Sequence, residues 1–473
     1  MKKERKLFDA ITDLPDNMVE EAGENKEAGE KKAAGFQGKK TGRRRAVWAS
    51  LAACAVLALG AAGIGIGRNG SLGGAGTEAV MKVTFPKAYA YDDSDTRWEI
   101  RDANPVEESF LDAVKAFSYQ TTSEFFSGEK ENENYSPLSL YYALSLAASG
   151  AEGETAQELL ALLGAKNQEQ LSLQCGNLYR CLYADNTIGK FKIANSLWLD
   201  RRASFKDAYV KNAAENFYAP AYHVDAADES TKAAMEKWVA ENTNGTIRPD
   251  IRLDGNWIMS ILNTIYYKNE WVDRFDESKT EKGTFYLADG GTVECDYMNR
   301  TYGSASFGRG DNYTKSSLGL KYFGSMVFIL PDEGVSVQEL LDSPEKVQEI
   351  FESENNGYGE VVWQVPKFDF GAEYNLADSM KALGIQAAFD GEKADFSRMT
   401  DEMAFISAIR QETHISVDEK GVEASAFTQI AYAGAGMPQS RADMILDRPF
   451  IYGIVTNEGL PVFIGVCGNP AQS

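Results

Sequence analysis

The chain has 473 residues, 44% hydrophobic and 11% aromatic, enough to bury a substantial core, and a net charge of −22. Residues 1–45 hold 12 Lys/Arg against 9 Asp/Glu, a net of +3, so the remainder carries −25, and so acidic a body argues against nucleic acid as a partner. Five cysteines (Cys54, Cys175, Cys181, Cys295, Cys467) and two histidines (His223, His414) form no CxxC pair or Cys/His cluster, which argues against a metal site; Cys175 and Cys181 are close enough in sequence to pair, but nothing requires it, and buried thiols are the default reading.

In chain order, residues 20–42 are charged and nearly free of large apolar side chains, so 1–45 reads as a disordered tail. The uncharged run AVWASLAACAVLALGAAGIGIG, residues 46–67, follows; as a helix rising ~1.5 Å per residue it is long enough for a bilayer core. Lys39, Lys40, Arg43, Arg44 and Arg45 precede it and only Arg68 lies close behind. The positive-inside rule therefore keeps the tail in the cytoplasm and puts the remainder outside the cell membrane. The expectation is an uncleaved anchor over 46–67. Two other fates stay open: cleavage as a signal peptide, which would secrete the body, and lipidation at Cys54, because LAAC at 51–54 resembles the lipoprotein cleavage box of bacteria. Residues 69–76 are Gly-rich, so 68–105 reads as a flexible linker and the folded domain is expected over 106–473.

Phe110, Val114, Phe117, Thr121 and Phe125 recur at three- and four-residue spacing and predict one face of a helix. Ser136 before Pro137 reads as an N-cap and first-turn proline for LSLYYALSLAASG. Thr155 with Glu158 predicts a capping box for ETAQELLALLG, stopped at Gly164. Short β-branched or aromatic runs then dominate, at 191–200, 258–267, 326–331, 361–370, 406–419, 449–456 and 461–466. They cluster instead of alternating with helices, so the expected class is α+β with large, mostly antiparallel sheets.

Catalytic signatures are absent: there is no GxSxG, HExxH or Walker loop, and no GxGxxG opening a helix after a strand. The chain reads as a non-enzyme without a cofactor. His414 in the strand-like THISVDE reads as a satisfied structural residue, and Arg309-Gly310-Asp311 in FGRGDNY as a turn.

The segment VDEKGVEASAFT, with DRPFIYGIV downstream, resembles the hinge and reactive loop of the serpin family of protease inhibitors. NYSPLSLYYALSLAASGAEGETAQELLALLG, KIANSLWLD, WVAENTNGTIRPDI, ILNTIYYKNEW, VPKFDF, LGIQAAFDGEKADFS and RPFIYGIVTNEGLPVFIGVCGNP resemble the family's other blocks, in its order, from about residue 107 to 473. The resemblance implies three β-sheets, about eight or nine helices, an exposed reactive loop over about 419–443 and a monomeric domain. It also implies a suicide-type inhibitor of serine proteases. The loop is cut, the protease is held as an acyl-enzyme in a covalent complex, and the hinge enters the main sheet as a new strand. A non-inhibitory binding protein and an inhibitor of cysteine proteases are the alternatives.

A strand entering a packed sheet must place alternate side chains beneath it, where there is little room. Val422, Ala424, Ala426 and Thr428 form a small or slender set at period two, while Glu423, Ser425 and Phe427 face the other way. Gly421 gives the backbone its freedom to fold over. No inward position carries proline, charge or bulk, which favours an inhibitor over a binding protein. By the resemblance, the scissile bond lies about sixteen residues beyond Glu419, between Ala435 and Gly436. The flanking Ala431, Tyr432, Ala433 and Gly434 suit an elastase- or subtilisin-like pocket. The resemblance also sets Ser136, Asn263 and Gln411 beneath the opening centre of the sheet, Gln411 standing where the family commonly has histidine, and Trp271 near the top where insertion starts.

Overall fold

The structure, a computed structural model, describes the backbone of residues 51–61 and of residue 422, and residues 79–90, 92–126, 131–253, 256–322, 324–421 and 440–472 in full. Strands β1 (Leu51–Ala61) and β2 (Ala79–Met81) precede helix α1 (Ser94–Ala103), whose first turn is capped by the Asp93 carboxylate accepting from the Thr96 N–H at 3.0 Å. Helix α2 (Glu108–Phe125) turns Phe110, Val114, Phe117 and Phe125 inward, as their spacing predicts. After β3 (Asn132–Tyr135), Ser136 caps α3 (Pro137–Ala148) as expected. All twelve residues of α3 are buried, which is why that helix is apolar round most of its circumference instead of along one stripe.

Helices α4 (Gly153–Leu162) and α5 (Gln168–Leu182) lead to β4 (Ala184–Asp185), β5 (Lys190–Asp200), α6 (Asp207–Asn216), β6 (Ala221–Val224), α7 (Glu229–Asn242) and β7 (Trp257–Glu270). The second half is strand-rich: β8 (Glu281–Tyr286), β9 (Thr292–Gly310), β10 (Tyr313–Gly319) and β11 (Ser325–Pro331) precede the short helices α8 (Val337–Leu341) and α9 (Pro344–Glu352). Then come β12 (Gly357–Pro366), β13 (Phe368–Asn375), α10 (Ala377–Ala382), β14 (Ala404–Val417), β15 (Gly421–Val422), β16 (Arg441–Ile445), β17 (Phe450–Val455) and β18 (Pro461–Cys467).

The main sheet runs β13-β14-β1-β7-β5-β6-β2, with β4 on β5 and β15 on β7. Every other described strand belongs to the order β16-β12-β9-β10-β11-β17-β18-β3, with β8 on β9. Strand β9 turns that order into two sheets, pairing with β8 and β12 along its first part and with β10 through Gly308 to Gly310. The result is three sheets with helices packed on them, the expected α+β class. Strand β7 is buried along nearly its whole length, so its sequence shows no alternation of apolar and polar residues, and Ser260, Asn263, Thr264 and Asn269 within it are buried with the rest.

Four expectations differ from what is found. Within the run expected to be a membrane helix over 46–67, Leu51–Ala61 is a strand in the middle of the main sheet, and the rest of the run lies outside the described residues. Among the described residues no helix is long and apolar enough to cross a membrane. An uncharged run of small and branched residues has no polar face to set a period, so the same letters suit a helix in lipid or a strand flanked on both sides. Second, Thr155 and Glu158 do not cap α4: the Thr155 hydroxyl accepts from the Asp395 N–H at 3.0 Å, and the Glu158 carboxylate accepts from the N–H groups of Gln386 and Ala387 at 2.8 and 2.7 Å. Third, the run 361–370 is two strands, broken at Lys367, whose N–H donates instead to the Asp296 carbonyl at 2.8 Å. Described structure also begins ahead of residue 106, because β2 and α1 occupy part of the stretch read as a linker.

Candidate functional site: the hinge and the centre of the main sheet

Beyond β14 the chain turns over residues 418–420 and comes back as β15, where Gly421 and Val422 pair antiparallel with Glu270 and Asn269 at the end of β7. Gly421 has φ +118°, and a Cβ on it would stand 2.5 Å from the Trp271 nitrogen and 2.8 Å from the Glu270 α-carbon. Both neighbours are backbone and cannot swing aside, so glycine alone fits the turn. The Trp271 indole is 1% exposed, donates its N–H to the Asp418 carbonyl at 2.9 Å and meets the Phe275 ring edge-on. Phe275 in turn donates its N–H to the Glu419 carbonyl at 3.0 Å.

Glu419 is buried at the head of the hinge, where its carboxylate takes the Lys367 ammonium at 2.9 Å and the Thr280 hydroxyl at 2.8 Å. Burial pushes its pKa up, but the Lys367 hydrogen bond, a backbone N–H and Thr280 together outweigh that and hold the carboxyl below its ordinary value. Asp418 beside it goes the other way: burial raises its pKa more than the Lys420 N–H, at 2.9 Å, lowers it. Beneath the turn, the buried Glu270 is held by Lys321 at 2.7 Å and Arg274 at 3.3 Å.

Near the middle of the sheet lies a buried polar network. Gln411 on β14 grips the backbone of Ser136 twice, its Oε1 accepting from the N–H and its Nε2 donating to the carbonyl, both at 3.0 Å. The Ser136 hydroxyl donates to the Val462 carbonyl of β18 at 2.8 Å. One turn into α3, the Ser139 hydroxyl donates to Asn263 Oδ1 on β7 at 2.5 Å; Asn263 Nδ2 donates to Asn195 Oδ1 on β5, and Asn195 Nδ2 to the Phe217 carbonyl, both at 2.6 Å. Each side chain in this chain of contacts is almost fully shielded from water, so each polar group depends on its partner. Ala55 of β1 stands between the two halves, register partner of Gln411 on one side and of Asn263 on the other.

Of the residues singled out in the sequence, Glu419, Gly421, Val422 and Trp271 thus meet at the hinge, and Ser136, Asn263 and Gln411 meet below the sheet centre. Glu423, Ala424, Ser425, Ala426, Thr428, Ala435 and Gly436 lie outside the described residues. Sequence reasoning missed Lys367, Thr280, Ser139 and Asn195. Asn195 carried a signal, being an amide inside the apolar run KIANSLWLD; Lys367 and Thr280 carried none, because their partner Glu419 is far away in sequence. His414 Nε2 lies 2.8 Å from Asp369 Oδ1, a pairing between neighbouring strands that satisfies the ring. Among the described residues no group of three or more His, Cys, Asp or Glu is placed to hold a metal, and Cys175, Cys181, Cys295 and Cys467 are buried free thiols.

A sequence model of the family described as Serpin (serine protease inhibitor) matches residues 112–470. Serpin-Z7 of Hordeum vulgare is 31% identical over 372 residues, covering 72% of this chain and 91% of its own length. Serpin-ZX of Arabidopsis thaliana is 27% identical with 72% and 93% covered. Among solved structures, native tengpin, a thermophilic serpin, superposes with a TM-score of 0.70 at 26% identity, covering 83% of this chain and 99% of its own.

Proposed function

Because the chain belongs to the serpin family, we propose that it is a suicide-type inhibitor of serine endopeptidases with elastase- or subtilisin-like preference. One observation carries the reading. The hinge is already turned back onto β7, with Gly421 and Val422 in ladder register and aimed along the strand. A loop merely joining β14 to β16 would have no need of that pairing, nor of a glycine wedged against Trp271.

In the proposed reaction the protease's serine oxygen attacks the Ala435 carbonyl, the bond to Gly436 breaks, the Gly436 nitrogen takes a proton, and Ala435 remains as an ester on the enzyme. The hinge then continues down the sheet. About fourteen residues at ~3.3 Å each make a strand on the order of 45 Å long, so the attached protease is carried far from where it bound. Displacing its catalytic groups by even about 1 Å costs on the order of 100-fold in rate, so the ester is not hydrolysed. The small side chains at Ala424, Ala426 and Thr428 support such an entry.

The test is to mix the full chain with elastase-, subtilisin- and trypsin-type enzymes and separate the products on a denaturing gel. The expected result is a band at the summed mass with one of the first two, and a released peptide beginning at Gly436. Cleavage of the loop without a covalent band for any serine enzyme would overturn the proposal. A band formed only with a thiol protease would reassign the target class.

A further inference from the structure

Strand β1 and the hinge need the same ladder. Continued in its present register, the hinge would set Ala424 opposite Tyr267, Ala426 opposite Ile265 and Thr428 opposite Asn263. Those places on β7 are taken by Leu51, Ala53 and Ala55. On its other side β1 pairs along β14, from Ala52 opposite His414 to Ala61 opposite Ala404. Strand β1 runs antiparallel to both neighbours, and the hinge enters antiparallel to β7, so the two segments compete for one slot in one direction. The inward N–H and C=O groups of β7 and β14 are satisfied by whichever strand lies between them, and there is room for one.

We propose that β1 is a strand the chain supplies to itself, a latch that fills the slot and has to leave before the cut loop can enter and trap a protease. This rests on the inhibitor reading above. The eleven residues of β1 include five alanines and neither a charge nor a proline, a composition that a central strand tolerates.

Cys54 gives a direct probe, because its register partners are Thr264 on β7 and Glu412 on β14. Directly opposed antiparallel residues have α-carbons ~4.5–5.5 Å apart, within disulfide reach. In the full-length Thr264→Cys chain, mild oxidation should join Cys54 to the introduced thiol, while Ser260→Cys, which lies opposite Ala58, should give no link. The linked protein should be cut by its target protease with loss of the covalent complex, and reductant should restore the complex. Glu412→Cys tests the other flank and serves where Thr264→Cys fails to fold. The proposal is overturned if both variants melt like the parent yet neither links, or if the linked protein traps protease as well as the reduced one. If the link forms but the reduced protein traps no protease, the inhibitor reading fails while the seat of β1 stands.

Discussion

Gly421 lies so close to Trp271 that a methyl group on its α-carbon would stand 2.5 Å from the tryptophan's backbone nitrogen. Gly421→Ala must therefore push the hinge off the end of β7, besides forcing alanine to φ +118°. A cost of about 1–3 kcal/mol is expected for such a conformation, read as a lower urea midpoint. In the protease assay the variant should shift from covalent complex toward simple cleavage.

The ion pair between Lys367 and Glu419 fastens the head of the hinge. Replacing Lys367 by methionine leaves a buried carboxylate with only Thr280 and backbone to hold it. Because Lys367 is partly exposed, the loss should fall at about 1–3 kcal/mol, between surface and interior pairs. The depressed pKa of Glu419 sets the sign of the pH effect. Its stabilisation is complete above the ordinary carboxylate value near 4.5 and is lost as pH falls through the lower folded value. Urea midpoints measured downward from pH 6 should show this acid limb in the parent and a weaker one in Lys367→Met.

Asn263→Ala would orphan two groups in a site shielded from solvent, the Ser139 hydroxyl and the Asn195 side-chain carbonyl oxygen. At ~1–3 kcal/mol for each unsatisfied polar group, the variant should lose about 2–6 kcal/mol, seen as a fall in Tm. Asn195→Ala should lose a comparable amount, and the double variant less than the sum, because the two amides share a bond.

Glu412 supplies the opposite pH signature. Burial, then the cross-strand Glu373, push its pKa up to about 6, with Asp250 adding to the rise and Arg410 opposing it. A carboxyl that holds its proton more tightly when folded destabilises the fold as pH rises from 4.5 through 6, and the effect flattens above that. Thermal midpoints of Glu412→Gln should lack this downward slope between pH 4.5 and 6.

What was legible in the sequence was what neighbours in sequence decide. Ser136 and Pro137 announce the start of α3 because cap and helix are adjacent, and β7 announces itself because burial on both faces leaves it mostly apolar and without alternation through Tyr267. Thr155 and Glu158 look like the same kind of local signal and are not. Their partners, Asp395 and the Gln386–Ala387 backbone, lie more than 220 residues away, and nothing local distinguishes a side chain that caps its own helix from one that ties down another segment. Lys367 and Thr280 were hidden for the same reason. Strand β1 was illegible for a different one: with no polar residue to mark a face, the run offers neither a period of two nor of 3.6, and its place is decided by the gap between β7 and β14.

The far side of the loop has its own attachment. Ser440 donates its hydroxyl to the Tyr358 carbonyl at 2.6 Å and accepts the Glu360 N–H at 3.0 Å, and β16 then pairs along β12 before β17 and β18 thread between β11 and β3. A nick anywhere within 423–439 therefore separates the chain chemically but not physically. The tail piece stays interleaved with strands of the larger piece, so a severed molecule should travel as one particle in gel filtration and part into two fragments only once a denaturant unpicks the weave.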